Sequence, residues 1–309
     1  MPTVSFHTAC VKWKADKKNY VKDSTLAAYS LTITKHLEPR FRTLDEVTPA
    51  AAQELADSKI RSGMSVPSVR GMLIVLKMVA RFCERQGWME PKPLEVRWPP
   101  MWRKPRIDVM TVPEERLLLG YLASHRGLYD LGLLVCVYTG VRIGEVCGLK
   151  WEDVDLGAGV IRIRRTAHRV YRPGRGTRLT VGNPKTAGSY REIPVIKPLA
   201  AALYEYSRTA SVRGGCYVLT GNARPAEPQT LRNHFKKVTA DLGISMRRFH
   251  GLRHTFATRC VESRCDYKIL SSILGHSSVS TTLNLYVHPG LEQKRLLVER
   301  MDSTLAETT

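Results

Sequence analysis

This protein is organised around the segment Phe249-His250-Gly251-Leu252-Arg253-His254. It is followed by Leu274-Gly275-His276 and by Leu285-Tyr286-Val287-His288. A phenol is a poor nucleophile at neutral pH, because its reference pKa is about 10 and only roughly one in a thousand is ionised. Arginine and histidine around a phenol are out of place in an apolar core, but they suit a phenol that attacks an anion. The working hypothesis is a tyrosine nucleophile, Tyr286, directed at a DNA phosphodiester.

The composition indicates a globular protein with a polyanionic partner. The chain has 309 residues, enough for about two domains, and 48 Lys and Arg against 28 Asp and Glu give a formal net charge of +20. This excess favours nucleic acid over an anionic membrane surface. No apolar run approaches the ~20 residues of a membrane span, and the N-terminus lacks the order of a secretion signal. We expect a cytoplasmic protein that is nucleoid-associated when bound to DNA.

Seven cysteines form no Cys-x-x-Cys pair, and their number is odd. They are expected to be reduced thiols, several of them packed in cores.

The first hundred residues predict a helical domain. Apolar residues at helical spacing follow Ser24-Thr25, and further helices begin at Thr48-Pro49 and at Ser65-Val66-Pro67. A proline-rich basic segment between Pro91 and Arg106 disfavours helix and central strand, so it is expected to be an extended linker. We predict a helical domain over 1–98, a linker over 99–110 and a second domain over 111–309.

Basic side chains flank the apolar positions of the helical domain. A solvated face explains any one of them, but together they favour a phosphate-contacting surface on a protein of this charge. The candidate DNA contacts in the whole chain are Lys12, Lys14, Arg70, Lys77, Arg81, Arg162, Arg164 and Arg247.

The second domain is predicted to be mainly helical with a small antiparallel β-sheet. Gly140 permits a sharp turn, so Arg142 is expected to project from a helix start with Glu145 on the same face, where it can hold the guanidinium. Taken alone, a surface ion pair explains that spacing better. An alternation of period two over 160–164 and 191–195 predicts strands. Lys185 lies in a predicted turn, where a mobile site lysine and a solvated lysine are equally good explanations.

His250 and His254 are four positions apart, as some zinc ligands are. With no Glu beside the first His, no Cys pair and no third ligand, a metal site is not expected.

Five motifs together resemble those of the tyrosine recombinases, also called the phage-integrase family. The six family positions appear in the family's order as Arg142, Lys185, His250, Arg253, His276 and Tyr286. The motifs are Thr139-Gly140-Val141-Arg142-Ile143-Gly144-Glu145, Pro184-Lys185-Thr186, His250-Gly251-Leu252-Arg253-His254-Thr255, Leu274-Gly275-His276-Ser277-Ser278 and Tyr286. The match covers residues 110 to about 290, and the helical N-terminal part resembles the family's core-binding, SAM-like domain.

The resemblance implies site-specific DNA strand exchange through a 3′-phosphotyrosine on Tyr286, without metal, ATP or another cofactor. Arg142, Arg253 and His276 would bind the phosphate, and Lys185 would protonate the leaving oxygen. His250 would take the proton from Tyr286, and Glu145 would orient Arg142 or His250. Four protomers would assemble on two recombination sites, with an accessory DNA-bending or directionality factor as a possible further partner.

His276 and Tyr286 are ten positions apart, a spacing that resembles integrases of phages and mobile elements more than chromosome- or plasmid-dimer resolvases. We expect no additional N-terminal domain for arm-type sites. Either the protein is a simple two-domain recombinase, or the basic segment from Lys12 to Lys22 does that work, or the element's integrase is a minimal one. Residues 291–309 are expected to dock on a neighbouring subunit or on their own domain. The alternatives are a type IB topoisomerase and a DNA-binding protein that has lost catalysis.

Overall fold

The structure is a computed structural model that describes residues 4–99, 107–172, 176–183, 190–209, 215–246 and 248–286. The chain divides into two compact units. Unit 1 contains Met1–Pro105 with Arg169–Leu179, and unit 2 contains Arg106–His168 with Thr180–Thr309. The predicted limits of the two domains and of the linker stay a prediction.

The described part of unit 1 contains four helices, two of which begin where their capping residues predict, together with parts of β3 (Thr166–Arg172) and β4 (Gly176–Gly182). Thr48 and Ser65 accept hydrogen bonds from the first turns of their helices, each of which has a proline near its start. The helices are α1 (Phe6–Lys17), α2 (Asp23–Thr32), which continues as a π-helical turn over Ile33–Leu37, α3 (Pro49–Arg61) and α4 (Val66–Arg85). Their core holds Trp13, Phe41 and Leu76, so the predicted helical character of this region is confirmed.

Unit 2 holds most of the remaining elements. Its first helices are α5 (Val112–Ser124), α6 (Leu128–Thr139) and α7 (Ile143–Cys147); a 3-10 turn over Trp151–Asp153, β1 (Val154–Asp155) and β2 (Val160–Ile163) follow. Next come β3 (Thr166–Arg172) and β4 (Gly176–Gly182), which pair as a two-stranded sheet, and then β5 (Arg191–Pro194). The chain continues with α8 (Lys197–Thr209), α9 (Pro228–Asp241), α10 (Gly251–Glu262), α11 (Tyr267–Leu274) and α12 (Val279–Tyr286).

The three-stranded sheet has the order β1-β2-β5, and both of its pairings are antiparallel. Ile161 lies opposite Ile193, and Ile163 lies opposite Arg191. Since opposed residues of an antiparallel pair share a face, Arg191 lies on the face of the buried isoleucines. The predicted class, mainly α with a small antiparallel sheet, is confirmed.

Some details differ from the sequence-based expectations. The helix after Arg142, which the sequence predicts to run to Leu149, ends at Cys147. Between the two predicted strands lies a basic, glycine-rich segment from Arg169 to Arg178 for which no strand was predicted, and its described residues lie in β3 and β4. All seven cysteines are free, and four are buried: Cys10, Cys83, Cys136 and Cys147. No described helix has the length and apolar character needed to cross a membrane.

Candidate active site

Arg142 and Glu145 form the first part of the site, at the start of α7. Gly140 ends α6 in the left-handed conformation, with φ +62°, and Arg142 then caps α7. The Arg142 backbone N–H donates to Glu145 Oε2 at 2.8 Å, and Nη1 donates to Oε1 at 2.9 Å. The Glu145 side chain is 4% exposed and that of Arg142 is 37% exposed. The ion pair is therefore half buried, and Arg142 remains accessible from solvent.

Arg253 lies in the first turn of α10 and is almost fully buried. Its Nη1 donates to the Gly140 carbonyl at 2.9 Å, and its Nη2 donates to the Leu274 carbonyl at 2.7 Å. A side chain at Gly140 would place Cβ 2.5 Å from Cδ1 of Phe256, so the turn that presents this carbonyl requires glycine. Arg253 thus joins the ends of α6 and α11.

Arg191 on β5 is a third arginine of the site. Its Nη1 and Nη2 donate to Glu145 Oε1 at 3.1 Å and Oε2 at 2.8 Å. Its Nε donates to the Ile273 carbonyl at 2.5 Å, and its side chain is 5% exposed. Arg191 is not among the site residues predicted from the sequence, although its alternation with Glu192 puts it on the same strand face as Ile193.

Tyr286 is the last residue of α12, and it is buried. Its hydroxyl lies 2.8 Å from Nδ1 of His254. The His254 ring in turn meets the His250 ring edge-on, with centroids 4.7 Å apart. The His276 ring lies parallel to the phenol with centroids 6.5 Å apart, and its Nδ1 is 2.8 Å from Thr282 Oγ1. Among the described residues, the direct hydrogen-bonding partner of the phenol is His254, which is not one of the six family positions predicted to be catalytic.

The three imidazoles of the site favour their neutral form. Partial burial, followed by the charges of His254, Arg253 and Arg142, lowers the pKa of His250 to about 4. Burial and the site arginines likewise lower the pKa of His276 to about 4. Burial and then Arg253 lower the pKa of His254, against an opposing effect of Asp108. At neutral pH each ring can therefore accept a proton.

The phenol and the carboxylate respond to the same surroundings in different ways. Burial raises the pKa of Tyr286 above its ordinary value, although Arg253 and Arg142 act to lower it. For Glu145, burial acts to raise the pKa, but hydrogen bonds and charge from Arg191 and Arg142 hold it below the ordinary value. Burial lowers the pKa of Arg253 to about 9. At neutral pH the free site therefore contains a protonated phenol, an ionised Glu145 and cationic arginines.

A cavity of about 160 Å³ opens at this cluster. It is lined by Val141, Ile143, Arg232, Phe249, His250 and Arg253. Arg232 is an exposed residue of α9, and it was not predicted. Among the described residues, no three or more His, Cys, Asp or Glu side chains are grouped as metal ligands would be.

Comparison with known families decides the class of protein. The model of the phage integrase family matches residues 110–292, which is more than half of the chain. The chain belongs to the phage integrase family. The model of the phage integrase N-terminal SAM-like domain also matches, over residues 5–60. The protein is thus a tyrosine recombinase, a DNA-binding enzyme of site-specific recombination.

Individual relatives agree with this family. A tyrosine recombinase XerC-like protein from Caldanaerobacter subterraneus subsp. tengcongensis is 27% identical over 317 residues, covering 94% of this chain and 77% of the relative. The ICEBs1 integrase of Bacillus subtilis is 21% identical over 315 residues, covering 98% of this chain and 84% of the relative.

Solved structures of integrases share the fold. The Tn1549 transposon integrase in complex with transposon right end DNA superposes with a TM-score of 0.81 at 20% identity, covering 97% of this chain and 100% of that chain. A lambda integrase dimer bound to a core site superposes with a TM-score of 0.66 at 19% identity, covering 92% of this chain and 77% of that chain.

Five of the six family positions of this tyrosine recombinase lie in the described part of unit 2. Arg142 and Arg253 both donate to the end of α11, His250 contacts His254, and His276 faces Tyr286. Lys185 lies outside the described residues, as do Arg247 and the segment 291–309. Their predicted roles stay predictions.

The predicted DNA contacts of the recombinase have different surroundings. In unit 1, Lys12 lies over the Trp88 ring at 4.9 Å and Arg70 over the Trp98 ring at 4.7 Å. Lys14, Lys77 and Arg81 are likewise not buried. In unit 2, Arg162 pairs with Asp155 and Glu192, and Arg164 is 3.8 Å from Asp153. The charge of Arg162 is therefore balanced within the protein.

The lowered pKa values of His250 and His276 predict a pH-dependent stability. The unfolded chain, with a His pKa near 6.5, binds more protons than the folded chain between pH 6.5 and about 4. The free energy of unfolding should therefore fall as pH falls through this window. Urea unfolding at pH 7.5, 6.0 and 5.0 measures the slope, and His250→Gln with His276→Gln should reduce it. An unchanged slope in the double variant would contradict this assignment.

Proposed function

We propose that this tyrosine recombinase cleaves and rejoins DNA through a 3′-phosphotyrosine on Tyr286, and that it integrates or excises a mobile element. The observation that carries the proposal is the setting of the Tyr286 hydroxyl. It lies 2.8 Å from a neutral imidazole, and Arg142 and Arg253 both exert their charge on it. A buried phenol with a proton acceptor and two guanidinium groups is suited to attack a phosphodiester.

Binding of the phosphate is assigned to Arg142, Arg253 and His276. A guanidinium presents planar pairs of donors that match the oxygens of a phosphate, and Arg142 has exposed surface from which to do so. Arg253 lines the cavity of about 160 Å³ at the cluster. A Thr282 hydroxyl that donates to Nδ1 of His276 leaves the ring proton on Nε2, where it can donate to the same phosphate.

Proton transfer follows from the neutral imidazoles. As the bond between the Tyr286 oxygen and phosphorus forms, the phenol proton moves to Nδ1 of His254, and the His250 ring, which packs nearly perpendicular to the His254 ring, holds it in place. This assigns the direct contact to His254 and leaves His250, the expected acceptor, one ring further away. The bond from phosphorus to the 5′-oxygen breaks, and Lys185 is proposed to protonate that oxygen. The reverse sequence rejoins a strand.

The partners are proposed from the family. Two solved structures that share the fold are a transposon integrase on transposon end DNA and a lambda integrase tetramer bound to a Holliday junction. By analogy we propose double-stranded recombination sites and a homotetramer in the synaptic complex. The helical domain would contact the core of the site, residues 291–309 would dock on a neighbouring subunit, and an accessory DNA-bending or directionality factor would assist. We place this assembly in the cytoplasm, at the nucleoid.

A covalent trapping experiment tests the proposal. The full chain is incubated with 5′-labelled, nicked duplexes tiled from the DNA that flanks its gene, because a nick next to the scissile phosphate lets the cleaved fragment diffuse away and prevents rejoining. A labelled adduct that resists denaturing electrophoresis is expected on a small subset of duplexes. Peptide mapping should place the nucleotide on Tyr286.

Four outcomes would reject parts of this proposal. Retarded DNA without an adduct on any duplex would reject the enzymatic assignment, and an adduct on another residue would reject Tyr286. Efficient relaxation of unrelated supercoiled plasmid would favour a type IB topoisomerase. If paired copies of the trapped site resolve plasmid dimers but do not integrate a circular donor, the protein is a resolvase.

Replacing His254 by glutamine should slow adduct formation by roughly 10²–10⁴-fold at pH 7, the range typical of a lost general base. The defect should shrink as pH approaches the phenol pKa, because an ionised phenol needs no proton acceptor. Single-turnover rates of wild type, His254→Gln and His250→Gln between pH 7 and 9.5 measure this. A larger, pH-sensitive defect in His250→Gln than in His254→Gln would return the role to His250.

A further inference from the structure

Three arginines from three different elements converge on the C-terminal end of α11. Arg191 donates to the carbonyl of Ile273, Arg253 to that of Leu274 and Arg142 to that of Gly275. Because α11 ends at Leu274, no following turn of the helix supplies N–H donors for these carbonyls. The helix dipole also makes this end of α11 partly negative. Two of the three arginines are proposed to bind DNA phosphate. Arg191 differs, because it is shut off from solvent and does not line the cavity.

The carboxylate of Glu145 is shared between Arg191 and Arg142. It receives two hydrogen bonds from the Arg191 guanidinium and two from Arg142, one of them from the backbone. With neutral imidazoles, the cluster of three arginines and one carboxylate carries a net charge of about +2. Without Arg191, the partner left to the carboxylate among the described residues would be Arg142, and the charge that this cluster offers to the phosphate would fall to about +1.

A stabilising role alone does not account for this arrangement. A buried ion pair is weak evidence for stability, because the cost of removing both charges from water offsets their attraction. An apolar residue at position 191 would suit the strand face on which Ile161, Ile163 and Ile193 are buried. The chain instead places a guanidinium there, directed at the carboxylate that holds Arg142.

We propose that Arg191 is a positioning residue of the recombinase. It neutralises and orients Glu145, so that Glu145 fixes the Arg142 guanidinium without consuming the charge that Arg142 offers to the scissile phosphate. This inference rests on the proposed function. It also explains a close approach at Gly275, where φ is +65° and an added Cβ would lie 3.1 Å from Nη1 of Arg191.

The test compares two scissile groups in one duplex. Single-turnover adduct formation is measured with the duplex trapped in the experiment above, and with the same duplex carrying a methylphosphonate at the scissile position. Arg191→Met should slow the reaction of the natural phosphate by on the order of 10–100-fold, the range typical of residues that orient a reacting group. The methylphosphonate lacks the negative charge that the arginines stabilise. Arg191→Met should therefore reduce the rate on the methylphosphonate duplex by a several-fold smaller factor. Arg142→Ala should likewise lose more rate on the natural phosphate than on the methylphosphonate.

A double variant separates charge balance from structure. Arg191→Met combined with Glu145→Gln removes both charges, leaves Arg142 unopposed and should react faster on the natural phosphate than Arg191→Met alone. Arg191→Lys keeps the charge and should lose less than Arg191→Met. The double variant leaves no unpaired carboxylate in the buried site, and Arg191→Lys keeps a hydrogen-bond donor there. Both variants therefore remain informative if Arg191→Met folds poorly.

Arg259→Met is the matched control. Arg259 lies on α10 of the same unit and also donates to two carboxylates and one backbone carbonyl. These are the carboxylates of Glu115 and Glu262 and the carbonyl of Met110. Arg259→Met should lower Tm without changing the ratio of the two rates. Equal losses of Arg191→Met on both duplexes, or no recovery in the double variant, would overturn the positioning role. Absence of an adduct with wild type on either duplex would instead reject the proposed function, and the inference with it.

Discussion

Tyr286→Phe should form no covalent adduct with DNA while it still binds the same duplex. The substitution removes the attacking oxygen, and a phenyl ring has no other group that can bond to phosphorus. The ring is buried beside Leu270 and Leu274, and phenylalanine fills the same space. The lost hydrogen bond to His254 should cost little stability, because one neutral hydrogen bond contributes about 1 kcal/mol net.

The trapping assay and a native gel-shift assay measure the two properties separately. The adduct should fall below detection, whereas the apparent Kd for the trapped duplex should stay within about a factor of ten, which corresponds to about 1.4 kcal/mol. Residual adduct with an unchanged mobility would mean that another side chain attacks the DNA. Loss of DNA binding in Tyr286→Phe would show that the phenol supports the fold rather than the chemistry.

Arg253→Lys is expected to lower both the rate of adduct formation and the stability of the protein. The lysine keeps a positive charge, but a single ammonium cannot donate to the Gly140 and Leu274 carbonyls and to a phosphate in the same geometry. Loss of one preorganised donor to a developing charge typically lowers the rate by ~10²–10³. Buried carbonyls left without donors also lower stability, so Tm should fall together with the rate.

Single-turnover rates and thermal unfolding of Arg253→Lys, with Arg232→Met for comparison, test this expectation. Arg232 lines the same cavity, but it is exposed on α9, so its replacement should leave Tm nearly unchanged. If Arg253→Lys retained both the wild-type rate and the wild-type Tm, the two hydrogen bonds by which Arg253 links α6 and α11 would contribute neither to catalysis nor to stability.

Several features of the site could be predicted from the sequence because they depend on local spacing. Arg142 and Glu145 are three positions apart at a helix start, so their contact follows from helix geometry. The helices of unit 1 begin at Thr48 and Ser65, whose hydroxyl groups cap the free N–H groups. Tyr286 and His276 were identified by family motifs, and the structure places their rings parallel to each other.

Other features depend on contacts between distant parts of the chain. Arg191 meets Glu145 across 46 positions, and period-two alternation gives the face of a strand but not its partner. The acceptors for the three arginines are backbone carbonyls, which every residue has, so no residue type marks them. The contact of His254 with Tyr286 depends on how α10 and α12 pack. The strands β3 and β4 were missed because their sequence is basic and glycine-rich rather than alternately apolar.

The convergence of Arg142, Arg191 and Arg253 on the end of α11 limits how parts of this recombinase can be exchanged with those of relatives. The three guanidinium groups recognise main-chain atoms of Ile273, Leu274 and Gly275. The side chain at the first of these positions therefore takes no part in this recognition, provided that the helix ends at the same residue. Consider a chimaera that takes α11 and α12 from a relative with one residue more or fewer before Gly275. Its carbonyls at the end of α11 would no longer face the three arginine donors. Functional grafts should keep that length fixed.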